Sequence, residues 1–325
     1  MLRKIDWESQ IGRRLRLRDL HVFSTVVECG SMAKAAAHLG VSTPTVSEVV
    51  ADLEHMLGLR LLDRSPRGVE PTMYGRALLS RSVAAFDELK QSVRDLEFLS
   101  APGRGEVRIG CPEASTAMLS VVVERFCRKY PQVAFQVDQV STNTMEVHGL
   151  RERKVDFVVG RLTPPVDDVG DELKIDVLFY DRLLLVAGAN SRFARRRKVD
   201  LADLVNEPWI LPPRDAWAQQ VLSEMFRARG LNMPKTSLMT YFMHLRTNLA
   251  ASGRFITTFP RSSLRFDIDR RLLRALPIEL ETPPWPCAIV TLKNRTLSPV
   301  VELFLEHLRN FTQSMREGPS VGHDR

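Results

Sequence analysis

The sequence predicts an α/β protein in which a small helical domain with a β wing, a long helix and a larger α/β domain follow one another. Three observations predict this: a helix-turn-helix spacing near the N-terminus, a long amphipathic stretch, and alternating strand and helix patterns beyond a breaker cluster at 100–105. The length of 325 residues fits about two domains at roughly 150 residues each. We expect a first domain at 15–72, a linker helix at 73–99 and a final domain at 104–311.

The net charge favours a polyanionic partner without locating where that partner binds. The composition is ordinary for a globular protein, with 44% hydrophobic and 26% charged residues. The chain carries 46 Lys and Arg against 39 Asp and Glu, a formal charge of +7, which favours nucleic acid or an anionic membrane surface. Residues 1–100 hold 14 basic and 13 acidic side chains, so nearly all of the excess follows them.

Several functional classes are disfavoured by features that the sequence lacks. No apolar run approaches the roughly 20 residues of a membrane helix, and Leu15–Leu20 does not resemble the apolar core of a signal peptide. We therefore expect a cytoplasmic protein with no membrane partner and with free thiols, because its four cysteines have no C-x-x-C spacing. The seven histidines are scattered and no common catalytic motif is present, so we expect no enzyme activity, cofactor or metal.

The segment 15–72 has the spacing of a winged helix-turn-helix. A first helix is predicted from an apolar face whose members are three and four residues apart: Leu17, Leu20, Phe23 and Val27. Gly30 ends this helix. Ser31 is the predicted cap of an alanine-rich second helix, Met32–Leu39. Ser42 is the predicted cap of a third helix, which has Pro44 in its first turn. The segment 61–71 then reads as two short strands around a Ser-Pro-Arg-Gly turn.

A helix pair of this kind places its second helix in the major groove of DNA. Hydroxyls on that helix can bond phosphates or base edges, and arginines on a wing can anchor phosphates. The expected DNA contacts are Ser31, Met32, Ser42, Thr43, Pro44, Thr45, Ser47, Glu48, Arg64 and Arg67. The alternative from spacing alone is a helix pair in another all-α domain, followed by a solvated basic hairpin.

The run from Phe23 to Leu79 resembles the N-terminal domain of LysR-type transcriptional regulators. The matching positions are Phe23, Gly30, Ser31, Ala35, Ala36, Leu39, Val41, Ser42, Pro44, Val46, Ser47, Leu53, Glu54, Leu57, Gly58, Arg64, Gly68, Thr72 and Gly75. The family usually has phenylalanine at Leu62, glutamine at Thr43 and often a polar or basic residue at Glu48. The resemblance implies a regulator that binds double-stranded promoter DNA, and the departures leave its base preference open.

A long helix is predicted from Thr72, its cap, to about Leu99. Its apolar stripe has the a/d spacing of a coiled coil: Phe86, Leu89, Val93 and Leu96. A stripe outside both domains must be covered, and a second copy of the same helix is the simplest partner. The resemblance implies the same homodimer and also a homotetramer. The alternative is that the stripe packs on the chain's own effector domain.

The segment 104–311 alternates strand and helix patterns, which predicts open parallel sheets. The first unit has predicted strands at 106–110, 133–137 and 155–160, with helices at 115–130 and around 144–154. The second has predicted strands at 183–188, 209–211, 255–259 and 287–292, with helices near 216–229, 242–251 and 298–311. The segment is similar to the family's effector domain, which implies a two-lobed fold like that of periplasmic binding proteins, with lobe one at about 104–180 and 285–311 and lobe two at about 181–284.

Ligands of such folds bind where strands end and helices begin. This rule selects four loops and these candidate effector contacts: Glu113, Ser115, Thr116, Ser141, Thr142, Asn143, Arg214, Trp217, Tyr241 and His244. The alternative for each residue is an ordinary polar surface loop. Because Glu113 would repel an anion at a helix N-terminus, a neutral polyol, a sugar or an amine is favoured over a carboxylate.

Three other functions remain as alternatives to an effector-responsive DNA-binding regulator. An enzyme with an N-terminal targeting helix lacks support from any catalytic motif. An exported solute-binding protein would need a signal peptide, and a nucleoid-architectural protein leaves the large second domain without a role.

Overall fold

The computed structural model describes residues 14–65, 68–101, 103–140, 148–162, 172–266, 271–278, 280 and 284–316. The chain divides into two units, Met1–Ser92 and Val93–Arg325. Within the described residues, no helix is both long enough and apolar enough to cross a membrane.

The first unit begins with three short helices and a two-stranded wing. Their bounds are α1 Leu17–Cys29, α2 Met32–Leu39, α3 Thr43–Leu57, β1 Leu62–Ser65 and β2 Gly68–Pro71. The strands pair antiparallel, from Leu62 opposite Pro71 to Ser65 opposite Gly68. The helices surround a core of fully buried side chains: Phe23, Val26, Ala35, Val46, Val50 and Leu53. Of the face predicted for α1, Leu20 and Phe23 are buried and Val27 packs against this core, whereas Leu17 is 51% exposed.

Hydrogen bonds attach the wing to the helices at both of its ends. The Glu54 carboxylate of α3 accepts from the backbone N–H groups of Leu61 and Leu62 at 2.7 and 3.1 Å. At the other end, Val69 N donates to the carbonyl of Gly30, at 3.0 Å. A Cβ added at Gly68 would lie 2.7 Å from that same carbonyl oxygen, so only glycine fits this approach.

The long helix α4 runs over Met73–Ser100 and ends one residue beyond the prediction. Its 28 residues span about 42 Å at 1.5 Å per residue. Thr72 Oγ1 accepts from Gly75 N at 3.1 Å, as predicted for the cap, and donates to the Arg60 carbonyl. Gly75 lies against the Leu61 carbonyl, where a Cβ would be 2.1 Å from the oxygen. The start of α4 is therefore packed directly on the base of the wing.

Lobe one of the second unit is a five-stranded sheet of order β4-β3-β5-β12-β6. Its strands are β3 Arg104–Cys111, β4 Gln132–Gln139, β5 Phe157–Arg161, β6 Leu173–Asp181 and β12 Trp285–Leu292. Its helices are α5 Glu113–Lys129, α6 His148–Arg151 and α10 Pro299–Arg316. Of the helix predicted around 144–154, residues 144–147 lie outside the described residues.

Lobe two is a second five-stranded sheet, of order β11-β7-β10-β8-β9. Its strands are β7 Leu183–Gly188, β8 Trp209–Leu211, β9 Thr236–Met239, β10 Ile256–Pro260 and β11 Leu273–Ala275. Its helices are α7 Trp217–Ala228, α8 Met243–Ala251 and α9 Arg261–Phe266, with a 3₁₀ turn at Leu201–Leu204. The two lobes are joined where β6 leads into β7 and where the chain returns through β12.

The prediction of parallel sheets is confirmed for β3, β4 and β5 and for β8 and β10, and it is wrong for β7 and β12. β3 pairs parallel with β4 and β5, but β12 pairs antiparallel with β5 and β6. In lobe two, β8 is parallel to β9 and β10, whereas β7 runs antiparallel to β10 and β11. The physical reason is the crossing between lobes: the chain leaves lobe one along β6 and returns beside it along β12, so these two neighbours run in opposite directions.

Candidate functional site

Six of the predicted DNA contacts lie at the start of α3: Ser42, Thr43, Pro44, Thr45, Ser47 and Glu48. Thr43, Pro44 and Glu48 are exposed, whereas Val46, on the opposite face, is fully buried in the core. Ser42 Oγ accepts from Thr45 N at 3.3 Å and lies 2.8 Å from Thr45 Oγ1. The cap that begins the helix thus also fixes the orientation of two candidate hydroxyls.

The neighbouring candidates differ in how far they are free to reach DNA. Ser31 Oγ accepts from Lys34 N at 3.5 Å as the cap of α2, while Met32 packs partly against the helical core. Arg64 is exposed on β1 of the wing, opposite Val69. Arg67 lies outside the described residues. Lys34, near the start of α2, is also exposed and adds a cation at this end of the helix.

The apolar stripe of α4 is largely exposed. Leu89, Val93, Leu96 and Leu99 expose 45%, 56%, 65% and 75% of their surface. Phe86, the first predicted member, is half-buried, with its ring centre 6.0 Å from that of His21. The side chains that α4 buries are instead small or polar: Gly75, Ser82, Asp87 and Gln91. The exposed stripe carries the hydrophobic surface that a partner helix would cover.

A cavity of about 450 Å³ lies between the lobes of the second unit. Among the predicted contacts, Glu113, Ser115, Trp217 and Tyr241 line it. The other described candidates do not: Thr116 donates to the Glu113 carbonyl, Arg214 lines a separate surface cleft, and the exposed His244 ring lies 3.1 Å from Asn248 Nδ2. The remaining three, Ser141, Thr142 and Asn143, lie outside the described residues.

The cavity also contains residues that sequence reasoning missed: Arg161, Asp181, Arg246, Thr258 and Trp285. They lie on strands and helices far apart in sequence and form no local motif. One usable signal was available, because Arg161 is a charged residue that directly follows the buried predicted strand at 155–160. A cation at the carboxyl end of a buried strand faces the crevice of such folds.

One wall of the cavity combines a cation with two aromatic rings. The guanidinium carbon of Arg161 lies 4.5 Å from the ring centre of Trp217, whose ring meets that of Trp285 edge-on at 4.4 Å. Burial lowers the pKa of Arg161 to about 10, so the side chain remains charged at neutral pH. Burial also raises the pKa of the nearby Asp181, although hydrogen bonds from Ser262 oppose that effect.

The second cavity arginine is buried and fixed in place. Arg246 exposes only 5% of its surface. Its Nε donates to Thr257 Oγ1 at 3.1 Å, and its Nη2 donates to Thr258 Oγ1 at 3.0 Å and to the Thr258 carbonyl. Burial lowers the pKa of Arg246 to about 10, and the negative charge of Glu113 opposes this lowering. The Arg246 guanidinium therefore places a fixed positive charge at the cavity.

Glu113 was predicted to lie in a loop before a helix at 115–130. It is instead the first residue of α5, which begins two residues earlier than predicted. Its Oε1 accepts hydrogen bonds from Met243 N at 2.9 Å and His244 N at 3.3 Å. These are the first two residues of α8, in the opposite lobe. Glu113, predicted as an effector contact that repels anions, therefore already has partners within the protein, across the cleft.

Two family models match the chain. A bacterial regulatory helix-turn-helix domain of the lysR family covers residues 17–76, and a LysR substrate binding domain covers residues 100–313. The chain belongs to the LysR family of transcriptional regulators. It is therefore a DNA-binding transcriptional regulator and not an enzyme, and the fold predicted from the family resemblance is confirmed.

Relatives of this family resemble the chain over most of its length. The uncharacterized regulator YdcI of Escherichia coli (strain K12) is 26% identical over 302 residues, covering 93% of this chain and 97% of YdcI. GbpR of Azospirillum brasilense is 29% identical over 298 residues, covering 91% and 86%. The crystal structure of CbnR shares the fold at 21% identity with a TM-score of 0.58, covering 92% of this chain and 100% of CbnR.

Proposed function

We propose that this LysR-family regulator contacts operator DNA through the start of α3, the start of α2 and the wing. The residues assigned to this role are Ser31, Met32, Ser42, Thr43, Pro44, Thr45, Ser47, Glu48, Arg64 and Arg67. The support is geometric: Thr43, Pro44 and Glu48 share one exposed face, and Arg64 stands exposed on β1. Hydroxyl and carboxylate groups read base edges, and arginines hold phosphates.

We also propose that the regulator is a homodimer through α4 and assembles further into a homotetramer. The exposed stripe of Leu89, Val93, Leu96 and Leu99 supports the first step, because such a surface is costly to leave in water. A two-fold dimer would match a two-fold operator. Its DNA partner implies a cytoplasmic location.

We propose that the effector binds in the cavity between the lobes. The presence of this cavity is the main support for regulation by a small molecule. Its volume suits a small metabolite. The paired rings of Trp217 and Trp285 offer an apolar face, while Ser115 and Tyr241 offer hydroxyls. We propose a polar metabolite with one apolar face, such as a sugar, as the effector.

A gel-shift experiment on the upstream region of the protein's own gene tests DNA binding. We expect a shift at moderate salt that an unrelated fragment of equal length does not compete away. No preference for any upstream fragment would contradict the proposed operator contacts.

A thermal-shift screen of sugars, amines and organic acids on the full chain then identifies compounds that stabilise it. Loss of that stabilisation in Trp217→Ala would locate them in the cavity.

A further inference from the structure

A carboxylate of lobe one is hydrogen-bonded to the start of a helix in lobe two. Glu113 begins α5 in lobe one, and its Oε1 accepts from Met243 N and His244 N, which begin α8 in lobe two. The residues are 130 and 131 positions apart in sequence, so this is not a local turn. The next residue along α5 takes part in a second contact, since Ser263 Oγ donates to the Ala114 carbonyl at 2.5 Å.

Three groups around the Glu113 carboxylate interact favourably with a negative charge. The residue before α8, Phe242, provides no side-chain cap, so the first N–H groups of the helix depend on Glu113. The carboxylate is also at the start of its own helix, α5, and helix N-termini attract anions. The third contribution comes from the fixed positive charge of Arg246, which interacts with Glu113 electrostatically.

We propose that Glu113 is a tethered anionic ligand of the cleft, which occupies the anion-binding position at the start of α8 and fastens the lobes together. The position is thereby closed to free anions, and the effector presents an uncharged or cationic group at this end of the cavity. The statement about the effector's charge rests on the proposed function, because it assumes that the effector binds in this cavity. The Glu113 contact itself is independent of whether the protein binds a given promoter.

Removing the carboxylate should make the position available to a small free anion. We would measure thermal unfolding of the full chain in sodium acetate and in sodium chloride of equal ionic strength. Glu113→Ala should melt roughly 2–6 °C below wild type, and acetate should restore part of this loss with a saturable dose dependence. Wild type should show no acetate-specific shift, because its own carboxylate fills the position.

Three further variants separate this role from a general loss of stability. Glu113→Gln keeps an oxygen acceptor and should respond little to acetate. Glu113→Asp withdraws the carboxylate by one methylene, so it should show a lowered melting temperature and an acetate response even if the alanine variant does not fold. Glu124→Ala removes an exposed carboxylate of the same helix, paired with Arg128, and should show neither effect.

Two results would overturn the proposal. One is an acetate-specific stabilisation of wild type as large as that of Glu113→Ala. The other is an unchanged melting temperature with no acetate response in both Glu113→Ala and Glu113→Asp. A gel shift with the same preparations keeps the two ideas apart, because a failure of wild type to bind DNA contradicts the proposed operator contacts and leaves the acetate comparison intact.

Discussion

The central guanidinium carbon of Arg161 lies 4.5 Å from the ring centre of Trp217, and both side chains line the cavity between the lobes. The two side chains thus form a cation–π contact on one wall of the cavity. The ring provides part of the electrostatic stabilisation of the positive charge in this partly buried site.

Replacing Trp217 by alanine should weaken binding of the stabilising compounds found by thermal shift by roughly five- to thirtyfold. The physical reason is the loss of both the apolar face and the support for Arg161, together worth on the order of 1–2 kcal/mol. Titration followed by intrinsic fluorescence or calorimetry gives the affinity. Trp217→Phe keeps a ring and serves as the control. Equal affinity of the alanine variant and wild type would remove Trp217 from the effector site.

Asp156 should be the most sensitive charged residue for stability. It is fully buried, and its Oδ1 lies 2.7 Å from Arg108 Nη2 and 2.9 Å from Arg295 Nη2. Asp156→Asn leaves buried positive charge uncompensated and should cost about 3–5 kcal/mol in the free energy of unfolding by urea. Glu172→Gln breaks the exposed pair with Arg151 and should cost less than about 1 kcal/mol. Similar losses in both variants would contradict this ranking.

Arg64 on the wing should contact a phosphate. Arg64→Ala should weaken operator and unrelated DNA alike, and the slope of log affinity against log salt should fall by about 0.9, the contribution of one ion pair. Fluorescence anisotropy over a range of salt concentrations measures the slope. Arg128→Ala, which removes an exposed arginine of the second unit, is the matched control. An unchanged slope in Arg64→Ala would exclude a phosphate contact there.

The stripe on α4 should be the dimer contact. Leu96→Lys places a charge in the proposed seam and should shift the protein toward monomer by at least tenfold in dissociation constant. Analytical ultracentrifugation over a concentration series measures this. Glu88→Lys introduces the same side chain outside the a/d positions and should leave assembly largely intact. A Leu96→Lys variant that sediments like wild type would rule the stripe out as the interface.

Two buried thiols should make the second unit less stable in alkali. Burial raises the pKa of Cys111 to about 12 and raises that of Cys287 further still. An unfolded thiol ionises near pH 8.5, so above that pH the unfolded state releases protons that the folded state keeps, and stability falls as pH rises. Urea unfolding at pH 7 and pH 10 tests this. Cys111→Ala should show a smaller fall, and an identical fall would assign the effect to other groups.

The first unit was largely predictable because its signals are local. Ser31 and Ser42 each cap the helix that follows them, and Thr72 caps α4, all within three residues of their partners. The strand β6 was not predicted, because its buried and half-buried positions follow no regular alternation. The short strands β9 and β11 were not predicted either, because each includes exposed positions, whereas β8, which is equally short, is an unbroken run of buried apolar residues.

The effector cavity was only partly predictable because its residues meet through the fold. Glu113 and Trp217 were found by the rule that ligands bind at strand ends, and both line the cavity. Arg246 was missed, since it lies in the middle of a helix with a weakly amphipathic pattern and its partners are threonines on another strand. The bond from Glu113 to α8 joins residues 130 positions apart, and no local pattern encodes such a pairing.

The hydrogen bond from Val69 to Gly30, with Gly68 packed against the same carbonyl, joins the wing to the turn between α1 and α2. We therefore expect the wing and the start of α2, both proposed to contact DNA, to move together when the protein binds. A promoter variant that misplaces one contact should then be accommodated by bending of the DNA, and sequence preference should extend to base pairs that no side chain touches.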